Sequence, residues 1–432
     1  MKTPINHVDE LSRHVTERSK SYLVPLIFIT SLFFFWGLVH NIDPTLIAHL
    51  KKTFTLNNFE SSLVDFSVFI AYFVMAIPAG LLMKRWGYKS GIVFGLLLFA
   101  VGAFLFIPAA NTHQYFYFLA ALFVVASGLA FLETAANPYV TVLGPAETSS
   151  FRLNLAQSFN GIAAAIAPII GKYTILSNTH ISAEEIEQMD TEVKAKFIQE
   201  ASDSVKYPFM VLGFIILAVA VIFIFLKLPE LGKDKTETRR RSFYEILKIK
   251  HTRWAVIAQF FYVGAQICFS SFFLVYAEKA AGLDHQVASN YLAIYGALFM
   301  IGRVAGTVFM KFIAASKLLT IYSVIAVFLT LVAIFGHNAY TIYCLLGIGF
   351  FISIMFPTIF ALGVKNLGED TKTASSLIVM SVVGGAIIPL ALGYIADLTN
   401  NIQLGYIVPL ICLIVVAFFG YRGHKPSLKQ DE

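Results

Sequence analysis

The chain has 432 residues, of which 57% are hydrophobic and 13% charged, with a formal net charge of +6. A typical soluble domain carries roughly 25% charged residues, and a water-soluble fold cannot hide this much apolar surface. The composition excludes that class, and recurring apolar runs of about 20 residues, the length of a membrane-crossing helix, predict an all-α membrane protein. In such a protein a basic excess first reflects orientation, so it carries no nucleic-acid meaning.

The opening segment, MKTPINHVDELSRHVTERSK, is polar and mixed in charge. It lacks a short apolar core followed by small residues, which predicts no cleavable secretory signal. Breaks at charge clusters and at Gly, Pro and Asn then predict twelve spans: 22–50, 59–83, 89–110, 114–143, 151–177, 207–228, 254–280, 286–314, 317–336, 339–364, 372–398 and 404–422. Each is long enough for a hydrocarbon core of about 30 Å.

The flanks set the orientation. Arg13, Arg18 and Lys20 precede the first span, the second-to-third loop reads KRWGYK, and residues 227–253 hold nine Lys or Arg against four Asp or Glu. The positive-inside rule places these on the cytoplasmic side, with both termini. The segment 177–206 holds seven acids against three lysines and is expected as an external loop. Cys268, Cys344 and Cys412 fall in apolar runs and read as packing residues, with neither metal-ligand nor disulfide spacing.

The basic linker divides six spans from six. The expected parts are a tail 1–21, an amino-terminal bundle 22–228, a linker 229–253, a carboxyl-terminal bundle 254–422 and a tail 423–432. An internal match relates the halves. NPYVTVLG places Pro138 and Gly144 at the end of the fourth span, and FPTIFALG places Pro357 and Gly363, with the same spacing, at the end of the tenth. Recurrence at the same helix of each half predicts a duplicated six-helix unit.

One residue stands out inside the fourth span. If that helix ends near Gly144, Glu133 lies about 16 Å from the boundary, close to mid-membrane. An ionised carboxylate facing lipid there costs at least about 2.5–3.5 kcal/mol, so Glu133 is expected to face the protein interior or a wet cavity. There it either loads and releases a proton or stays neutral and hydrogen-bonded to a neighbouring helix. Pro138 has no amide hydrogen and frees the carbonyl of Thr134, beside Glu133, loosening the helix for gating or fixing a static kink.

Twelve spans, a central linker and a duplicated half resemble the plan of the major facilitator superfamily: two pseudo-symmetric six-helix bundles. The loop GLLMKRWGYKSG resembles its signature between the second and third helices, with Gly80 and Gly87 as structural members, which implies that Lys84, Arg85 and Lys89 hold the cytoplasmic helix ends together; simple topological charge is the alternative. More narrowly, LETAANPYVTVLGP, FRLNLAQSFN, RWAVIAQFFYVGAQ and PTIFALGVKNLGEDTK resemble the L-fucose/proton symporter family, which includes glucose and galactose permeases.

That resemblance implies an integral plasma membrane protein, in a bacterium the inner membrane, taking up a monosaccharide with a proton and needing neither cofactor nor ATP. It matches Glu133 to a fourth-helix coupling carboxylate. In the first helix the family has Asn-x-x-Asp-Ile-Leu where this chain reads HNIDPTLIAHL. Asn41 keeps its place, Asp43 falls one residue early and Pro44 takes the aspartate position. A one-residue shift turns a side chain by about 100°, so Asp43 is either a second coupling acid or an interfacial carboxylate beside a helix break.

Ile352 occupies the tenth-helix position matching Glu133, which puts proton handling in the first half. Candidate sugar contacts are Asn41, Asn137, Gln157 and Asn160, then Gln259, Tyr262, Gln266, Asn290 and Tyr291. Amides offer both donor and acceptor to a polyol, and aromatic faces pack on sugar C–H groups. Amides also join helices to one another in membranes, which is the alternative for each. Arg303 is expected in the cytoplasmic headgroup layer, or paired with an acid such as Asp370.

A uniporter, or a proton antiporter exporting apolar compounds, stays open as an alternative. An enzyme is disfavoured: no His-Glu-x-x-His, Gly-x-Ser-x-Gly or Walker motif occurs.

Overall fold

The computed structural model describes residues 25–38, 46, 49–50, 53–54, 56, 58–174, 190–226, 228–229 and 241–425. Every regular element among them is helical. Ten helices of the described residues are long and apolar enough to cross a membrane. The first and fifth expected spans fall on the helices Pro25–Leu38 and Ser149–Thr174.

The second, third and fourth spans are Asn58–Trp86, Tyr88–Thr112 and Tyr115–Val142. Only Gly87 separates the second from the third, at φ 87°. A side chain rarely adopts that conformation, and glycine does so without steric cost. The chain therefore reverses within one residue, and Lys84 and Lys89 flank the reversal. Lys84 Nζ donates to the Arg241 carbonyl at 3.1 Å and Lys89 Nζ to the Ile224 carbonyl at 2.7 Å. Both lysines thus bond to backbone oxygens, one in the linker and one near the end of the sixth span.

The sixth span corrects one expectation. It runs from Thr191 to Phe225, beginning well before the expected start at 207 and taking in much of the acidic segment expected as a loop. The reason is amphipathic: Phe197, Ala201, Val205 and Phe209 recur at every fourth position and are all buried, so the helix keeps a packed stripe through its early turns. The linker contains a short helix, Phe243–Lys248. Ser242 accepts from the Glu245 amide and Glu245 accepts from the Ser242 amide, a capping box that satisfies two donors left open at a helix start.

The seventh span divides into Lys250–Ser271 and Phe273–Lys279, and the eighth and ninth are His285–Phe309 and Ala315–Phe335. The tenth is broken into Thr341–Ile352 and Met355–Gly363. Pro357 accounts for the break, because it cannot bond the carbonyl of Ser353 one turn earlier. The repeated proline has a different outcome in the fourth span, which stays one helix through Pro138. The eleventh span comprises Thr371–Met380, a 3-10 turn and Gly384–Thr399, and the twelfth begins at Ile402.

The two spans bearing the repeated proline are the most enclosed: 61% of the apolar stretch of the fourth and 78% of that of the tenth are buried, against 28% for the eighth. From Val125 to Thr141 no residue of the fourth span reaches the surface. A helix buried all round has no lipid-facing side at that depth, which is how Glu133 avoids hydrocarbon. Large exposed apolar side chains such as Phe66, Leu81, Phe225 and Phe312 form the outer surface instead.

The halves meet on the side that carries the basic loops. The second span packs on Thr371–Met380 of the eleventh, and the fifth packs on the eighth and on Met355–Gly363 of the tenth. A Cβ added at Gly80 would lie 2.5 Å from Ser376 Oγ, so only glycine permits that approach. Arg241 pairs with Asp370 at 3.7 Å, which occupies the acid considered for Arg303.

Candidate functional site: a cavity between the halves

A cavity of about 110 Å³ lies between the halves, lined from the first by Trp36, Val68, Phe69, Tyr72, Glu133, Gln157 and Asn160. From the second it is lined by Val263, Gln266, Ile267, Arg303, Phe356 and Val382. Glu133 is the one carboxylate among the described residues of this wall and is 2% exposed. Tyr72 and Asn137 stand beside its carboxyl. Asn137 stands one turn along the same helix and accepts from Gln157 Nε2 at 3.3 Å, so acid and amides form one polar string across the fourth and fifth spans.

The fifth span is positioned by a residue in the FRLN motif. Buried Arg152 donates to the carbonyls of Val140 at 3.1 Å, Thr141 at 2.7 Å and Pro145 at 2.9 Å, and also to Thr148 Oγ1. These include carbonyls at the end of the fourth helix that no intrahelical amide can reach. The guanidinium thereby joins the fourth helix to the fifth and presents Gln157 and Asn160 beside Glu133.

Arg303 corrects the expectation placed on it. It is 6% exposed and lies in the cavity wall, in neither the headgroup layer nor a pair with Asp370. Nε donates to the Ser353 carbonyl at 3.0 Å and Nη1 to the Gln157 carbonyl at 3.1 Å, with the guanidinium 4.7 Å from the centre of the Phe299 ring. The Ser353 carbonyl is the one Pro357 leaves open, so the helix break creates the acceptor that holds the arginine. The second bond crosses between the halves and ends on the backbone of a cavity residue.

Of the sequence-predicted contacts, Gln157, Asn160 and Gln266 line the cavity and Asn137 stands directly behind it. Tyr262 is buried and donates to the Ile352 carbonyl at 3.0 Å, closing the other side of the tenth-span break. Gln259 is buried outside the cavity lining. Tyr291 meets Tyr343 through hydroxyls 3.4 Å apart, and Asn290 is exposed. Both stand about 20 Å along the eighth helix from Arg303, at its other end. Asn41 and Asp43 lie outside the described residues. Sequence reading missed Trp36, Phe69, Tyr72, Arg303 and Phe356. The aromatics carry no signal among 41 phenylalanines and 19 tyrosines, whereas an arginine inside an apolar run is itself a signal of a partnered interior site.

The Major Facilitator Superfamily profile matches residues 26–389. The chain is 41% identical over 409 residues to the L-fucose-proton symporter of Escherichia coli (strain K12), covering 93% of each chain. It is 38% identical over 412 residues to the glucose/galactose transporter of Brucella abortus biovar 1 (strain 9-941), covering 95% of this chain and 96% of that one. The crystal structure of a Major Facilitator Superfamily transporter, FucP, in the outward conformation superposes with a TM-score of 0.86 at 41% identity, over 93% of this chain and 99% of that one. With helices as the regular elements of its described residues, a polar cavity between two halves and this profile along most of its length, the chain belongs to the Major Facilitator Superfamily.

Proposed function

We propose that this protein takes up a monosaccharide, L-fucose or a related hexose, together with a proton. The observation that carries the reading is a buried carboxylate, the one acid among the described residues of a cavity wall otherwise made of amides, aromatics, aliphatics and an arginine. The relatives named as an L-fucose-proton symporter and a glucose/galactose transporter support the same substrate class.

Coupling rests on what the Glu133 carboxyl can do in each state. Protonated, it donates a hydrogen bond to a sugar hydroxyl; ionised, it only accepts. Sugar and proton then favour each other's binding at one site. Trp36, Phe69 and Phe356 supply faces for the sugar C–H groups. Gln157, Asn160 and Gln266 are the proposed hydroxyl partners, with Asn137 holding Gln157 and the acid in register.

The moving parts are the bundles 22–228 and 254–422, rocking about the cavity with the linker on the cytoplasmic side and both termini inside, in the inner membrane of a bacterium. The packing of the second span on the eleventh and of the fifth on the tenth closes the cytoplasmic side in this arrangement. A proton entering down 100 mV yields about 2.3 kcal/mol. That supports roughly fortyfold accumulation of a neutral solute, at about 1.4 kcal/mol per tenfold.

The test is external alkalinisation on adding sugar to energy-depleted cells or vesicles containing the protein, run across fucose, galactose, glucose and N-acetylated sugars. Symport predicts a pH rise with each transported sugar. Transport of a sugar with no pH change excludes symport.

A further inference from the structure

Toward the side closed by the basic loops, two amides are sealed in with atoms that bond nothing. Gln259 is 0% exposed, and neither its Nε2 nor its Oε1 has a partner. Asn154 is equally buried. Its Nδ2 donates to the Ser150 carbonyl at 2.9 Å and, across the halves, to Thr358 Oγ1 at 3.1 Å, while Oδ1 is unmatched. Burying polar atoms without partners is costly, and native proteins keep few such groups without a use for them.

Helical register relates both amides to the cavity. Gln259 lies two turns before Gln266 on one face of the seventh span, with Val263 between them, and both Val263 and Gln266 line the cavity. Asn154 lies one turn before the cavity residue Gln157 on the fifth span. The offsets are about 10 Å and about 4.5 Å along the helices, in both cases away from the opening and toward the closed side. The two spans also pack on the same segment, Met355–Gly363 of the tenth. Each helix therefore carries a buried amide past the cavity floor on the face that lines the cavity.

We propose that Gln259 and Asn154 form a second sugar station on the exit path, assembled when the halves part on the cytoplasmic side. Parting breaks the Asn154–Thr358 bond and admits water and sugar to three amide atoms that the closed arrangement leaves unpaired. Gln259 then offers a donor and an acceptor, and Asn154 an acceptor, to hydroxyls leaving the Glu133 cavity. The station rests on the sugar-transport reading and adds to it an asymmetry: these amides act on the cytoplasmic face alone.

The near-isosteric Gln259→Met and the smaller Asn154→Ala test it by sugar exchange in vesicles of both orientations, with thermal unfolding of the purified variants. The expected result is a KM raised about tenfold at the cytoplasmic face and changed by less than about twofold at the outer face. Gln259→Met should also unfold at a higher temperature than the wild type without sugar. An unchanged cytoplasmic KM, or an equal rise at both faces, overturns the station. A lowered unfolding temperature of Gln259→Met with both KM values unchanged assigns the amide to packing and overturns it too. Wild-type vesicles that exchange no sugar overturn the transport reading itself.

Discussion

At the scale of single residues, two buried ionisable groups carry the account, and each survives burial differently. Glu133, with Tyr72 and Asn137 beside it, is the group proposed above to take up the proton. Replacing it by Gln keeps the shape and the donor but removes the titration. Glu133→Gln should abolish uphill accumulation of labelled sugar while sugar-for-sugar exchange continues. Arg303 is held by two carbonyls, of which one is left free for it because Pro357 has no amide hydrogen to bond it. Arg303→Met leaves both oxygens without that donor, a loss of about 1–3 kcal/mol per buried group. A lowered unfolding temperature checks this, and Arg303→Lys should recover only part, since an ammonium lacks the fork that spans both acceptors.

At the scale of elements, the decisive contacts are close approaches and caps. Gly80 brings the second span against Ser376 of the eleventh. Gly80→Leu should force those helices apart and favour the arrangement open on the cytoplasmic side. Faster thiol labelling of Ser376→Cys in the Gly80→Leu background than in the parent would register that shift, and equal rates would count against Gly80 as part of the seal. The linker helix depends on its capping box, and Ser242→Ala should cost about 1 kcal/mol locally, seen as faster amide exchange over Phe243–Lys248. The Ser-x-x-Glu pattern before Ile246 was present in the sequence and was the available sign of this helix. The early start of the sixth span was equally written there, in the regular spacing of Phe197, Ala201, Val205 and Phe209.

At the scale of the molecule, transport requires the halves to separate where they now meet. Asn154 and Thr358 touch across that seam. With the three native cysteines, which are free, replaced by alanine, an Asn154→Cys/Thr358→Cys pair oxidised to a disulfide should arrest transport, and reductant should restore it. Sugar binding from the outer face should persist in the oxidised form, because the Glu133 cavity lies on the other side of the seam. Transport that continues after complete oxidation would mean the halves do not part there.

The sequence by itself determined the membrane class, the order of the spans, the family and the buried acid. A bilayer imposes one length scale and tolerates few charges, so apolar runs and an isolated glutamate have few alternative readings. The Gln157, Asn160 and Gln266 wall was legible for a related reason: amides are rare in apolar helices and offer both a donor and an acceptor to a polar ligand. Only the tertiary structure decided that Gln266 faces the cavity while Gln259 is sealed beneath it, that Tyr262 serves a helix break, and that Arg303 lies between the halves. Those outcomes depend on which face of one helix meets another far along the chain. They depend also on a carbonyl released in the tenth span and bound by an arginine of the eighth, a pairing between separate helices that the periodicity of neither one encodes.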